Sequence, residues 1–255
     1  MGAEPVEEGP TASVRAVPAG EAGSSARRVY ECRSGRFRVQ SEAKVTRDAE
    51  WRKQVKQDHP FLGLIAAAAT PKPVVASEPQ HVTAWQTGSH GEVRVGGLLE
   101  QSPAETGGLV LHDRRVPRSR ANIDHLAVAP SGVWVIDAKE FKGAVDKVDV
   151  GGLFRIDFRL RVGGRDRSNL ADGVDWQVAI VSEALGHVPP GVSVHGVLCF
   201  VGAEWPLLFR KPVQFRTVMV LWPTALGDLL RRPGSLQYDQ LTIVASALGN
   251  VFRPA

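Results

Sequence analysis

The segment Asn122–Gly143, NIDHLAVAPSGVWVIDAKEFKG, constrains the fold more than any other part of this chain. Ile123 to Ala129 alternates apolar and polar residues, Pro130-Ser131-Gly132 has turn composition, and Val133 to Ile136 is a continuous apolar run. That order predicts two strands joined by a tight turn, the second buried on both faces. Asp124 stands near the start of the first strand and Asp137 at the end of the second, with Lys139 two residues on. Strand side chains alternate faces, so Asp137 and Lys139 point the same way. Pairing about the turn brings Asp124 opposite them.

Charged residues at strand ends are ordinarily solvated. Here the strand carrying Asp137 is otherwise apolar, and Asp124 has the register to share its site. Two carboxylates converging from adjacent strands make a hard-oxygen site suited to Mg²⁺ or Mn²⁺. A nearby lysine can orient or deprotonate a water, or neutralise charge developing on a phosphate.

Four motifs occur in order: Gly88-Ser89-His90-Gly91-Glu92, Asn122-Ile123-Asp124-His125, Gly132-Val133-Trp134-Val135-Ile136-Asp137-Ala138-Lys139, and Lys142-Gly143. Together they resemble the nuclease-related domain (NERD) family of the PD-(D/E)xK nuclease-like superfamily, over roughly residues 85–208. The resemblance implies a restriction-endonuclease-like core and metal-dependent hydrolysis of phosphodiester bonds, with DNA as the expected partner and RNA as the alternative. It implies Asp124 and Asp137 as metal ligands, with the Ala138 carbonyl in reach. It also implies Glu92 as an acid on the first helix facing the metal, and Lys139 as the residue assisting the attacking water. Gln177 stands where the family has a glutamine after Asn-Pro; here Asp172-Gly173-Val174-Asp175 precedes it, so the Asn-Pro is missing. Many relatives carry Glu where this chain has Asp137, and the superfamily pattern admits either.

Each assignment has a plainer alternative. Ser89 followed by Glu92 has the spacing of a capping box. Gln177 alone reads as a surface helix residue. His125, next to Asp124 on a strand, faces away from it and reads as a packed or hydrogen-bonded histidine. Arg114, Arg115, Arg118 and Arg120 cluster at the end of the strand Gly108–Val116 and in the loop after it, beside the acids; with Lys142 they are candidates for contact with a phosphate backbone, or a solvated loop.

The 255-residue length suits one domain with extensions or two small ones, and a net charge of +4 is compatible with a nucleic-acid partner without requiring one. The two cysteines, Cys32 and Cys199, form no C-x-x-C, which argues against a zinc ribbon and fits a reducing cytoplasm. No secretory signal is apparent, and the apolar run Phe61–Ala69 falls far short of the ~20 residues that span a bilayer.

Three regions are expected. Residues 1–27, rich in Gly, Ala, Pro, Glu and Ser, read as a disordered tail. Residues 28–80 read as an extension: a hairpin turning at Ser34-Gly35, a basic helix over Ser41–Asp58, and a Pro-containing linker from Thr70. Residues 81–255 read as the compact domain. Its expected order is helix (Gly88–Glu100), three strands, a hairpin about Gly151-Gly152, a loop (Gly163–Gly173), helix (Val174–Leu185), two strands (Val192–Val201, Val218–Leu221) and two helices (Thr224–Leu230, Asp239–Leu248). That is an α/β fold with a mixed central sheet flanked by helices. The competing functional reading is a catalytically silent nucleic-acid-binding or scaffold module that keeps the nuclease fold.

Overall fold

A computed structural model describes residues 19–58, 80–101, 108–152, 155–188, 191–205 and 211–255. The chain divides into two units, one comprising Met1–Gly23 with His90–Ala255 and the other Ser24–Ser89. The second unit contains the long helix α1 (Ser24–Asp58). The hairpin expected at Ser34-Gly35 is absent, because both residues lie inside α1. The helix also starts within the stretch expected to be disordered. A two-stranded hairpin has no further strand here to bury a face. Helical bonds are local, and Arg27/Glu31, Arg38/Glu42 and Lys44/Asp48 are opposite charges spaced i,i+4. Gly35 costs the helix about 1 kcal/mol relative to alanine, which this length absorbs. The expected tail over residues 1–18 and the linker over 70–79 lie outside the described residues.

Helix α2 (Gln80–Gln101) is followed by β1 (Leu109–Arg115), β2 (Asn122–Ala129) and β3 (Gly132–Asp149). Then come β4 (Phe158–Val162), β5 (Arg165–Asp166), α3 (Asn169–Leu185), β6 (Val194–Glu204), β7 (Val213–Phe215), β8 (Val218–Leu221), α4 (Pro223–Leu230) and α5 (Tyr238–Val251). The strands form one mixed sheet in the order β1-β2-β3-β6-β8-β7, with β4 pairing β3 and β5. β1, β2 and β3 are antiparallel neighbours, while β6 runs parallel to both β3 and β8.

Helices cover both faces. Val95 and Leu99 of α2, with Leu226, Leu229 and Leu230 of α4, bury Ala127, Trp134, Ile136 and Cys199 on one side. Val181 and Leu185 of α3, with Leu241, Val244 and Leu248 of α5, bury Leu126, Val128, Val133 and Val135 on the other. The apolar run Val133–Ile136 is completely buried, as a strand between two helical layers must be.

Three boundaries differ from the sequence reading. Helix α2 begins before Ser89, so Ser89 is no cap; its hydroxyl donates to the Gln86 carbonyl at 2.9 Å inside the helix. Helix α3 begins at Asn169 rather than Val174, where Asp172 in its first turn favours the helix N-terminus. Helix α4 begins at Pro223 rather than Thr224, with Trp222 at the N-cap position and proline suited to the first helical residue. No helix among the described residues is long and apolar enough to cross a membrane.

Candidate functional site

The site forms where β2 begins and the apolar half of β3 ends. In the β2–β3 ladder His125 lies opposite Ile136, so Asp124 falls beside Asp137. Both carboxylates project on the α3 side of the sheet, by alternation from Leu126 and Val135. Asp124 Oδ2 accepts the Ala138 backbone N–H at 3.0 Å, which ties the acid of β2 to the strand that carries Asp137 and Lys139. Lys139 Nζ stands 2.6 Å from Asp137 Oδ1 and 3.4 Å from Asp124 Oδ2. It also lies 3.4 Å from the Ala138 carbonyl oxygen. One cationic centre thus gathers three hard oxygens from a short stretch of two strands.

Burial alone would lower the Lys139 ammonium, but Asp124 and Asp137 overcome it and hold its pKa above the ordinary lysine value. Burial pushes Asp137 up to about 6 against the opposing field of Lys139, with Asp124 adding to the rise. Glu92 reaches the same neighbourhood from α2. Burial, then the Asp124 carboxylate, push it up to about 9, and Lys139 pulls the other way. With Ser89 in mid-helix, the capping explanation for Glu92 falls away. An acid held this high sits in a place short of positive charge.

Gln177 lies in the third turn of α3, because the helix starts earlier than its composition suggested. Its side-chain amide donates to the Asn122 carbonyl at 3.1 Å, and its Oε1 is buried without a hydrogen-bond partner. Asn122 in turn donates through Nδ2 to Asp113 Oδ1 at 3.1 Å.

The basic cluster separates into two kinds of residue. Arg115, Arg118 and Arg120 are exposed, as is Lys142 beyond Lys139 on β3. Arg114 does not belong with them. It is fully buried and donates to the Phe252 carbonyl at 3.4 Å, so it holds the fold and is inaccessible to phosphate. Strand alternation turns it inward while Arg115 points out.

Sequence reading had His125 facing away from Asp124 as a packed or hydrogen-bonded histidine, as found, but missed its partner and missed Asp113. Asp113 is buried with φ at +47°, and it falls opposite Asp124 between the pairs His112–His125 and Arg114–Ile123. His112 and His125 meet Nδ1 to Nδ1 at 2.8 Å on the opposite sheet face. Burial, then His112, lower His125 to about 3, so both rings are neutral and one donates to the other. The signal for both was the parity of β1 against β2, which needs the register between strands that no local pattern supplies.

The donor set fits a hard divalent cation: two carboxylates and a backbone carbonyl, already converging on positive charge. Among the described residues no three His, Cys, Asp or Glu side chains are grouped closely enough to form a complete ligand cluster. A metal held by Asp124 and Asp137 would have to take its remaining ligands from water or substrate. Residues 87–201 match the model of the nuclease-related domain family. No curated protein and no solved structure matches the chain.

Proposed function

We propose that this chain, which carries a nuclease-related domain over residues 87–201, is a metal-dependent phosphodiesterase acting on nucleic acid, with DNA as its main substrate. The observation that carries this reading is the convergence of Asp124, Asp137 and the Ala138 carbonyl on one cationic centre. Asp124 and Asp137 would hold Mg²⁺ or Mn²⁺, with Glu92 joining directly or through water. The bound ion would lower the pKa of a water and stabilise charge on the scissile phosphate.

The chain's own residues do the rest. Lys139 stays protonated between the acids, so its part is to orient the attacking water and offset charge on the phosphate. Gln177 keeps its N–H engaged with Asn122 and presents Oε1 as an acceptor for a water proton. Glu92, held neutral near pH 7 by its surroundings, becomes an anion once positive charge enters the site. Arg115, Arg118, Arg120 and Lys142 are exposed where flanking phosphates would lie.

The test is cleavage of plasmid, linear and single-stranded DNA and of RNA in Mg²⁺, Mn²⁺ or EDTA. Wild type is compared with Asp137→Ala and Lys139→Ala. Metal-dependent cleavage lost in both variants supports the reading. Cleavage that persists in both, or no cleavage by folded wild type on any substrate, refutes it.

A further inference from the structure

We propose that Arg167 is a phosphate-binding residue that holds the backbone of the nucleic acid beside the scissile bond; the inference rests on the nuclease reading and extends it to a subsite. Arg167 lies between β5 and α3, in a stretch whose sequence reads only as a polar loop. Its backbone N–H donates to the Leu160 carbonyl at 2.8 Å, so its place is fixed by β4. Its guanidinium lies over the ring of Phe141, 4.5 Å from the centroid.

Phe141 is two residues beyond Lys139 on β3. Lys139 pairs with Phe200 in the parallel ladder, and Phe141 packs on the same Phe200 at 5.7 Å. Phe141 and Phe200 share one cluster with Val174 and Ala171 of α3, so Arg167 is anchored to the segment of β3 that directly follows Lys139. The cation is half-buried, and its Nε is buried without a hydrogen-bond acceptor. Among the described residues no carboxylate forms an ion pair with it. Its neighbour Asp166 is engaged elsewhere, accepting the Ser168 N–H at 2.8 Å and lying 3.8 Å from Arg159.

A half-buried guanidinium without an acid, held over an aromatic ring, is incomplete as a structural ion pair and suited to an incoming anion. Helix α3 begins two residues later, and its N-terminus adds favourable potential for the same charge. A phosphodiester would accept from the terminal Nη groups of Arg167, the Nε being enclosed, while a neighbouring phosphate lies at a metal held by Asp124 and Asp137.

The experiment is fluorescence anisotropy of a labelled duplex in Ca²⁺, with the salt concentration varied, for wild type, Arg167→Gln, Arg167→Lys and Phe141→Leu. Thermal melts of each confirm folding. Arg167→Gln is expected to weaken binding about tenfold and to reduce the log–log salt slope by about one, the signature of one lost phosphate contact. Arg167→Lys keeps the slope with weaker binding, and Phe141→Leu falls between. Wild type that binds with Arg167→Gln unchanged in affinity and slope overturns the subsite and leaves the nuclease reading standing. A lower melting temperature in Arg167→Gln with unaltered binding does the same, since it marks a purely structural residue. Folded wild type that binds no nucleic acid removes both.

Discussion

Replacing Lys139 by methionine separates its electrostatic part from its bulk. The ammonium lies 2.6 Å from Asp137 and 3.4 Å from Asp124, with the lysine side chain 31% and each carboxylate side chain 13% exposed. Without it, two carboxylates face each other with no cation between them. Breaking a fully buried pair costs about 3–5 kcal/mol and losing a surface pair about 0–1 kcal/mol, so this partly exposed group falls near 2 kcal/mol. For a chain of this size that lowers Tm by about 4–8 °C. The same loss opens the position to a metal. Mn²⁺ at a hundred times its Kd stabilises a folded protein by about 2.7 kcal/mol, and Lys139→Met should gain more from it than wild type does. Thermal melts in EDTA and in Mn²⁺ measure both effects. A variant that melts with wild type in EDTA, or that gains no more than wild type from Mn²⁺, refutes the claim that the Lys139 ammonium offsets the charge of the two acids that would hold the metal.

The hairpin of β2 and β3 was legible because its signals are local. Alternation, the turn at Pro130-Ser131-Gly132 and the apolar run set the strand register, and the register sets Asp124 beside Asp137. Features that depend on distant partners were not legible. Arg114 and Arg115 are the same residue type side by side, and Arg114 is distinguished by a carbonyl 138 positions away. The His112–His125 contact and the burial of Asp113 follow from how β1 registers on β2, which composition leaves open. The capping-box spacing of Ser89 and Glu92 misled for a related reason. A cap signal marks a helix start only where the preceding residues cannot continue the helix, and here α2 runs back to Gln80. Arg167 was passed over because a polar loop looks alike whether its arginine faces water or lies on a phenylalanine beside the site.

Glu92 rises from an ordinary value near 4.5 to about 9 in the fold. The native chain therefore retains a proton the unfolded chain has lost, and stability falls as pH rises through that window. Glu92→Gln should flatten the fall in urea melts run in EDTA; an unchanged slope would contradict a buried acid there. His125 moves the opposite way, from 6.5 to about 3. The unfolded chain takes up the extra proton, so stability present above pH 6.5 is lost as pH falls toward 3, and His125→Phe should reduce that acid sensitivity. Cys199, buried and with its thiol pushed up by burial, should resist a thiol reagent until the protein unfolds, whereas exposed Cys32 reacts at once. Gly196 on β6 leaves the room into which α3 packs. A Cβ there would lie 2.6 Å from Val174 Cγ1 and 3.2 Å from Val178 Cγ2, so Gly196→Ala forces these valines to turn or α3 to shift outward. Overpacking of this kind costs about 1–3 kcal/mol. Because α3 carries Gln177, the displacement should also lengthen its bond to Asn122 and reduce cleavage below the melting range. Val174→Ala in the same chain restores the space, so the double variant should recover stability and activity together. Recovery of stability alone would mean that the position of α3 does not govern the site.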